Sequence, residues 1–385
     1  MAPYVDLMEP LKGVISILKY MGVWESENIF YKLYRNVIPT FLVIMIASAI
    51  KFYSEISNYD EETVETLYVF IGCFEGMTKT LMCRKKFSMI VSSWKILEQN
   101  QLQPRNESQK KILNDYMRIS KLIFKLYMGS FFVAGVVVPG VPILTGQKNL
   151  PIPQWYPFNY HRPVLFEIFY VYTYISVFSC AICNSGVDCM FYISMNQIAG
   201  QCDMLCDTIR NVDVLTDEDK IAKEDEMNKI LVECVQQFTL IRRYAQLLAD
   251  IYKESIMVQF GTSIGILCVA MFRLSQLQQL DLTFLSTFLF CYAATLEIFF
   301  YCYFGDLATE KSEKIFYAAF KSSWYNSGHV FNKNLFTFMQ MVQQPIVIYS
   351  FNIFPVNYET FKKIMQKTWS FYLALQNFQD RQGSR

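Results

Sequence analysis

The chain has 385 residues, of which 53% are hydrophobic, 16% aromatic and only 18% charged. Soluble domains are about a quarter charged, and a mean hydropathy of +0.20 spreads apolar surface beyond what a water-facing protein buries. With 35 Lys and Arg against 34 Asp and Glu, the formal charge of +1 excludes a polybasic nucleic-acid binder, so no nucleic-acid partner is expected. The same figures exclude disorder, collagen and coiled coil, and an all-α membrane protein is expected.

A helix needs about 20 apolar residues to cross the hydrocarbon. The N-terminal stretch mixes Glu and Lys without an isolated apolar core, so no signal peptide is expected there. Asn36 to Ile50, extended through Tyr53, is the first span, and Thr66 to Cys83 is a weaker second because it contains Glu75 and Lys79. Leu126 to Gln147 and Ile168 to Val187 follow, then Ser255 to Phe272 and Leu282 to Phe304, the last broken by Glu297. With helix ends allowed for, the first four spans become about 34–54, 64–84, 122–145 and 164–190 within an N-terminal region 1–191, and 255–305 holds the fifth and sixth.

Between Tyr192 and Ile251 the pattern stays helical but is too charged for lipid. Met204, Ile209, Leu231, Val235, Phe238 and Ile241 recur at helical spacing, so 192–254 is expected to be cytoplasmic extensions of helices four and five around an acidic turn near Thr216 to Glu226. Beyond the sixth span, Asn334 to Tyr358 is uncharged but interrupted by Pro345, and Thr368 to Gln379 is apolar with Lys362, Lys363 and Lys367 before it. A short helix, a break at Asn352 to Pro355 and a final span from about Val356 to Gln376 fit both stretches, although hydropathy alone does not decide. The terminal Gly383-Ser384-Arg385 reads as a cloning remnant.

Lys and Arg gather in alternate connections, such as Arg84 to Lys121, Arg210 to Lys253 and Lys311 to Lys333, leaving only Lys51, Lys148, Arg162, Arg273, Arg381 and Arg385 opposite. The bias places the N-terminus inside and, with seven spans, the C-terminus outside, the reverse of a G-protein-coupled receptor. The sequon Asn106-Glu107-Ser108 then lies in the cytoplasm, and the outer loop Thr145 to Pro163 carries no cysteine for a receptor-type tether. That loop contains Leu150-Pro151-Ile152-Pro153-Gln154-Trp155-Tyr156-Pro157-Phe158, which is ordered and non-helical by its prolines, either as a headgroup anchor or as a lid over a binding site.

Chemistry-bearing motifs do not point to an enzyme. The pair Cys180 and Cys183 sits inside an apolar helix, where small packing residues are the expected role, and Cys202 and Cys206 lie in a reducing compartment. His161 and His329 are far apart, so no metal and no cofactor are expected, and no Walker loop, G-x-S-x-G or H-E-x-x-H run occurs. Intramembrane charges remain. Glu75 and Lys79 are four apart and can pair on one helix face, whereas Glu297 has no partner in its own span.

From Phe300 the chain reads Phe300-Tyr301-Cys302-Tyr303-Phe304-Gly305-Asp306, then Glu310, Ser312, Ala318, Ala319 and Ser323-Trp324-Tyr325. Gln343-Gln344-Pro345, Phe354, Phe361 and Trp369-Ser370-Phe371-Tyr372-Leu373 follow. This order and spacing resemble the signature of insect odorant receptors, a seven-span family of inverted topology. The resemblance implies an odorant-gated, non-selective cation channel in the plasma membrane of olfactory sensory neurons. It also implies a heterotetramer in which a ligand-selective subunit assembles with odorant co-receptor subunits. The long insertion of the co-receptor between spans four and five is lacking here, so the chain resembles the ligand-selective subunit.

The resemblance further implies a cytoplasmic anchor segment over 306–353, with a half-helix at about Leu335 to Tyr349, and a pore-lining helix over 354–382. The hydrophobic gate of the family matches Leu373, Ala374 and Leu375, with Gln376 next outward; Ala374 is smaller than the branched residue usual there. A small volatile ligand is expected among Phe70, Phe74, Phe131, Phe132, Tyr174, Phe178, Phe288 and Tyr292, with Gly135 leaving cavity space. The alternatives are a G-protein-coupled-type receptor, a related gustatory-type channel, or a transporter, which would need broken helices at mid-membrane.

Overall fold

The computed structural model describes residues 4–25, 28–55, 61–146, 148–160, 162–212, 220–277 and 279–383. His161, Ser384, Arg385 and residues 216–219 of the acidic turn expected at Thr216 to Glu226 lie outside the described residues, and the rest of that stretch is the start of α7. In chain order the helices are α1 Glu9–Tyr20, α2 Ile29–Glu55, α3 Glu61–Lys85, α4 Phe87–Leu97 and α5 Glu107–Leu144. Then come α6 Pro163–Arg210, α7 Lys220–Gln276, α8 Leu282–Phe320, α9 His329–Val342 and α10 Tyr358–Gly383. A two-residue antiparallel hairpin, β1 Tyr349–Ser350 and β2 Phe354–Pro355, precedes α10.

Helices α2, α5, α6, α7 and α8 are long and apolar enough to cross a membrane. α3 has the length, with 25 residues, but Glu75 and Lys79 lower its hydropathy. At 1.5 Å per residue, the 57-residue α7 runs about 85 Å and the 48-residue α6 about 70 Å, more than twice the ~30 Å hydrocarbon. Both therefore project beyond the bilayer.

α6 is the axis of the bundle. It packs on α1, α2, α3, α5, α7 and α8, and from Ile182 to Cys202 every residue is buried. Below the bilayer segment α6 has polar partners, with Lys311 reaching Asp203 at 2.6 Å and Gln109 donating to Thr208 at 2.9 Å, and Phe238 of α7 meets Phe338 of α9 edge to face. The thiols there are packing groups, since burial pushes Cys206 and Cys234 up to about 12. Asn106 caps α5, its Oδ1 accepting from the Gln109 amide at 2.8 Å.

The loop with the prolines folds over the outer end of the bundle. Leu150, Ile152 and Gln154 are buried, Gln154 donates to Thr173, and Ser48 donates to the Trp155 carbonyl. Lys51 lies over the Trp155 ring, 3.2 Å from its centroid.

α9 stops at Val342, three residues before Pro345, and Gln343 to Ile348 are not helical. The hairpin then reverses the chain through Phe351 and Asn352, both at positive φ. Val356 donates to the Ile348 carbonyl at 2.9 Å, which brings the start of α10 across α8 at Gly305. A Cβ at Gly305 would lie 2.2 Å from the Val356 carbonyl oxygen, so only glycine permits this crossing. Along α10, Thr360, Ile364 and Thr368 form one buried stripe at four-residue spacing. Gly305→Ala is expected to destabilise the crossing by about 1–3 kcal/mol, read as a reduced surface-resident fraction by cell-surface biotinylation against total protein.

Candidate functional site

α3, α5, α6 and α8 line a cavity of about 70 Å³, with Ile266 of α7 contributing to the wall. Small side chains make it: Gly72 and Cys73 on α3, Ala134 and Gly135 on α5, Cys180 and Ala181 on α6, Ala293 and Ala294 on α8. Val69, Phe131, Val138, Val177 and Phe290 supply the larger apolar surfaces, and Glu75, Asn184 and Glu297 supply the polar ones. A second cavity of about 220 Å³ lies under the proline loop, lined by Leu150, Pro151 and Pro153. The two cavities share Val69 and Val138.

Of the residues expected at a ligand site, Phe131 and Gly135 line the smaller cavity. Phe178 stands behind Gly135, 3.3 Å from where a Cβ would be, and meets Phe132 edge to face. Phe70 packs on Tyr53, and the Tyr174 hydroxyl donates to the Val136 carbonyl near the two prolines of α5. Phe74, Phe132, Phe288 and Tyr292 point outward, 39%, 53%, 50% and 52% exposed. The remaining lining residues are small or aliphatic, and the clustering of Gly, Ala and Cys at matching depths is the sequence signal that marks them.

Beside the cavity lies a buried ionic cluster. The Lys79 ammonium is 2.8 Å from Asp188 Oδ1, 2.7 Å from Glu297 Oε1 and 3.0 Å from Glu75 Oε1, and it also donates to Gln259. An ammonium has three protons, so these acceptors saturate it. Tyr301 donates to Asp188 at 2.6 Å and Tyr127 to its other oxygen at 3.2 Å, while Thr262 donates to Glu75. Asn184 Nδ2 donates to Glu297 Oε1 at 2.9 Å, and Tyr192 donates to the Glu297 carbonyl at 3.0 Å. Glu297 thus finds its cation on α3, 218 residues away in sequence.

The residues matched to a gate lie on the other side of α8. Leu373 and Leu375 are 40% and 39% exposed, Ala374 is exposed and Gln376 half-buried, all on α10. α8 joins the two regions: Ala293, Ala294 and Glu297 face the cavity, while Phe299 meets Phe361 edge to face and packs near Tyr358 of α10.

A family profile described as 7tm Odorant receptor matches residues 61–369. The chain is 22% identical over 369 residues to Odorant receptor 2a of Drosophila melanogaster, covering 93% of this chain and 92% of that protein. It is 22% identical over 280 residues to Odorant receptor Or1 of Anopheles gambiae, covering 67% of each. Among solved structures it is similar to the insect olfactory receptor OR5 from Machilis hrabei, with a TM-score of 0.83 at 16% identity over 96% of this chain and 98% of that one. The same receptor in complex with eugenol matches with a TM-score of 0.82 at 15% identity, over 97% and 98% of the two chains.

Removing Lys79 leaves carboxyl groups from α3, α6 and α8 facing one another without their cation. Lys79→Met is expected to cost about 3–5 kcal/mol, and fluorescence-detected size exclusion of a tagged receptor should show loss of the monodisperse peak. Gln259→Leu, which removes only a neutral acceptor, should retain it.

Proposed function

The chain belongs to the 7tm odorant receptor family, and on that footing we propose that it is the ligand-selective subunit of an odorant-gated, non-selective cation channel. It works with odorant co-receptor subunits as a heterotetramer in the plasma membrane of olfactory sensory neurons, N-terminus inside. The observation that carries this reading is an apolar-walled cavity between the helices whose wall helix, α8, also contacts α10. The cavity suits a small volatile molecule held by dispersion and shape. The proline loop, folded over the outer cavity, serves as a lid.

The mechanism follows from where α8 sits. Ligand bound against Ala293 and Ala294 favours whichever position of α8 gives those contacts room. Phe299 and Tyr303 lie on the same helix against Tyr358, and Phe299 also meets Phe361, so a shift of α8 is delivered to the base of α10. α10 leaves Leu373, Ala374 and Leu375 exposed among the described residues, with Gln376 half-buried beside them. In the assembly these side chains, with those of partner subunits, form an apolar constriction that blocks cations by dewetting. Lys363 pairs with Glu359 at 3.6 Å, which draws one of the cations of that helix out of the conduction path.

Co-expression with a co-receptor should yield odorant-evoked cation current that persists when G-protein signalling is blocked. Surface-resident protein that gives no current across a broad volatile panel would overturn the reading. Phe131→Ala should raise the half-maximal concentration of an activating odorant by about tenfold, equivalent to ~1.4 kcal/mol of lost contact. Leu375→Ser should raise the ligand-free current, since a polar ring wets the constriction.

A further inference from the structure

Two acceptors of cavity-lining residues receive no hydrogen bond among the described residues: Glu75 Oε1, which lies 3.0 Å from the Lys79 ammonium in an ion pair, and the Asn184 carbonyl oxygen, which has no cation beside it. Asn184 is only 7% exposed and lines the cavity, and its Oδ1 receives no hydrogen bond among the described residues. Its orientation is fixed, because the neighbouring Glu297 Oε1 accepts from Lys79 and from Asn184 Nδ2, so the amide nitrogen must face the carboxylate. The carbonyl end is left over. A buried carbonyl without a donor is unfavourable, and the cavity is the space from which a donor can reach it.

Resting on the receptor reading above, the geometry points to a ligand class: an aliphatic alcohol whose hydroxyl donates to Asn184 Oδ1 and whose carbon chain extends between Val69 and Val138 toward the outer cavity. The head group must donate, which excludes ethers, esters, ketones and aldehydes from this contact. It is neutral, because the carboxylates nearby are already engaged. Glu75 accepts from Thr262 at Oε2 and its Oε1 is neutralised by the Lys79 ammonium 3.0 Å away, Glu297 holds Lys79 and Asn184, and the acceptor with no charge beside it is the uncharged amide. An ammonium stripped of water among Val, Phe and Ala would not be compensated by one amide oxygen. The ligand is aliphatic because about 70 Å³ is roughly half the ~150 Å³ that an apolar cavity offers benzene, and a slender chain can continue past Val69 and Val138, which border the 220 Å³ cavity as well.

Selectivity comes from the donor. An ether of the same shape makes the same dispersion contacts but leaves Asn184 Oδ1 unsatisfied and expels any water that served it. Discrimination by a site built around a hydrogen bond exceeds what one methylene in an apolar pocket supplies.

The test uses the full chain co-expressed with a co-receptor in oocytes. The n-alkanols from butanol to octanol are applied, each beside its isomeric methyl alkyl ether, the matching aldehyde and the matching primary amine. At least one alkanol should activate at about tenfold lower concentration than its isomeric ether and aldehyde, with the amine weaker. Asn184→Leu, which keeps the branched skeleton without polar atoms, should bring alkanol and ether to about the same half-maximal concentration. Asn184→Ser, which keeps a hydroxyl near Glu297 but has no amide oxygen, should do the same. The wild-type ratio decides the matter even where neither variant reaches the surface. Equal potency of ether and alkanol, or preference for the amine, overturns the inference. So does silence to all alkanols in a receptor that answers other volatiles, and each of these leaves the channel reading standing. Silence to every volatile overturns both.

Discussion

Five helices of the membrane part, α3, α5, α6, α7 and α8, are arranged around one ammonium group. Lys79 is fully buried in a region where an unpaired charge costs several kcal/mol, so its partners have to be in place for the helices to stay together. Those partners come from four helices: Glu75 from α3 itself, Asp188 from α6, Gln259 from α7 and Glu297 from α8. Tyr127 adds α5 through its bond to Asp188. Apolar helices in lipid slide and rotate at little cost, since a leucine is equally content against a neighbour or an acyl chain. A polar cluster has no such freedom. Rotation of any contributing helix by one residue, about 100°, would point its partner into hydrocarbon. The cluster therefore specifies rotation and depth more than it adds stability, the use of buried charge that is best attested elsewhere.

The cavity is a consequence of that registry. With α3, α6 and α8 locked at the level of Glu75, Asp188 and Glu297, the small residues beside them fall opposite one another. Gly76 is pressed against Cys180 and Asn184, where a Cβ would be 2.7 Å from the sulfur, so α3 and α6 touch backbone to side chain at that level. Near it Gly72, Gly135, Ala181 and Ala294 leave the space that no side chain fills. The polar boundary and the void share Glu75, Asn184 and Glu297, which is why an apolar pocket carries an oriented amide.

Much of the architecture was legible from hydropathy and charge, and the rest was not for identifiable reasons. Long uncharged runs mark α2, α5, α6, α7 and α8, because exclusion of charge over the width of a bilayer has no other common cause. The stripe Leu231, Val235, Phe238 and Ile241 reads as a helix leaving the membrane, and these residues lie in α7 with three of the four buried. The lining of the cavity was less legible. In water an apolar residue declares itself as core; in lipid both faces of a helix are apolar, and Phe131 and Phe132 differ only by the 100° between successive residues. Large aromatics attract attention as pocket residues, yet Phe74, Phe288 and Tyr292 face outward because they fit lipid as well as ligand. The space itself is written in Gly, Ala and Cys. Glu75 with Lys79 was readable as an i, i+4 pair, whereas the bond from Lys79 to Glu297 spans 218 positions and has no local signature.

One further constraint links the cluster to gating. α8 carries the cavity wall at Ala293 and Ala294, the shared carboxylate at Glu297, the contact with α10 at Phe299, and the Asp188 donor at Tyr301, all within about two and a half turns. A ligand that fills the void cannot move α8 freely, because Glu297 and Tyr301 are tied to Lys79 and Asp188. The permitted motion is one that keeps those bonds: a tilt with the cluster as pivot. Phe299 and Tyr303 lie close to the pivot and Tyr358 and Phe361 rest against them, so α10 receives the motion at its base. Packed interfaces change between discrete arrangements more readily than they deform. On the proposed gating, a ligand that fills a void of about 70 Å³ acts by favouring the arrangement of α8 that leaves it room.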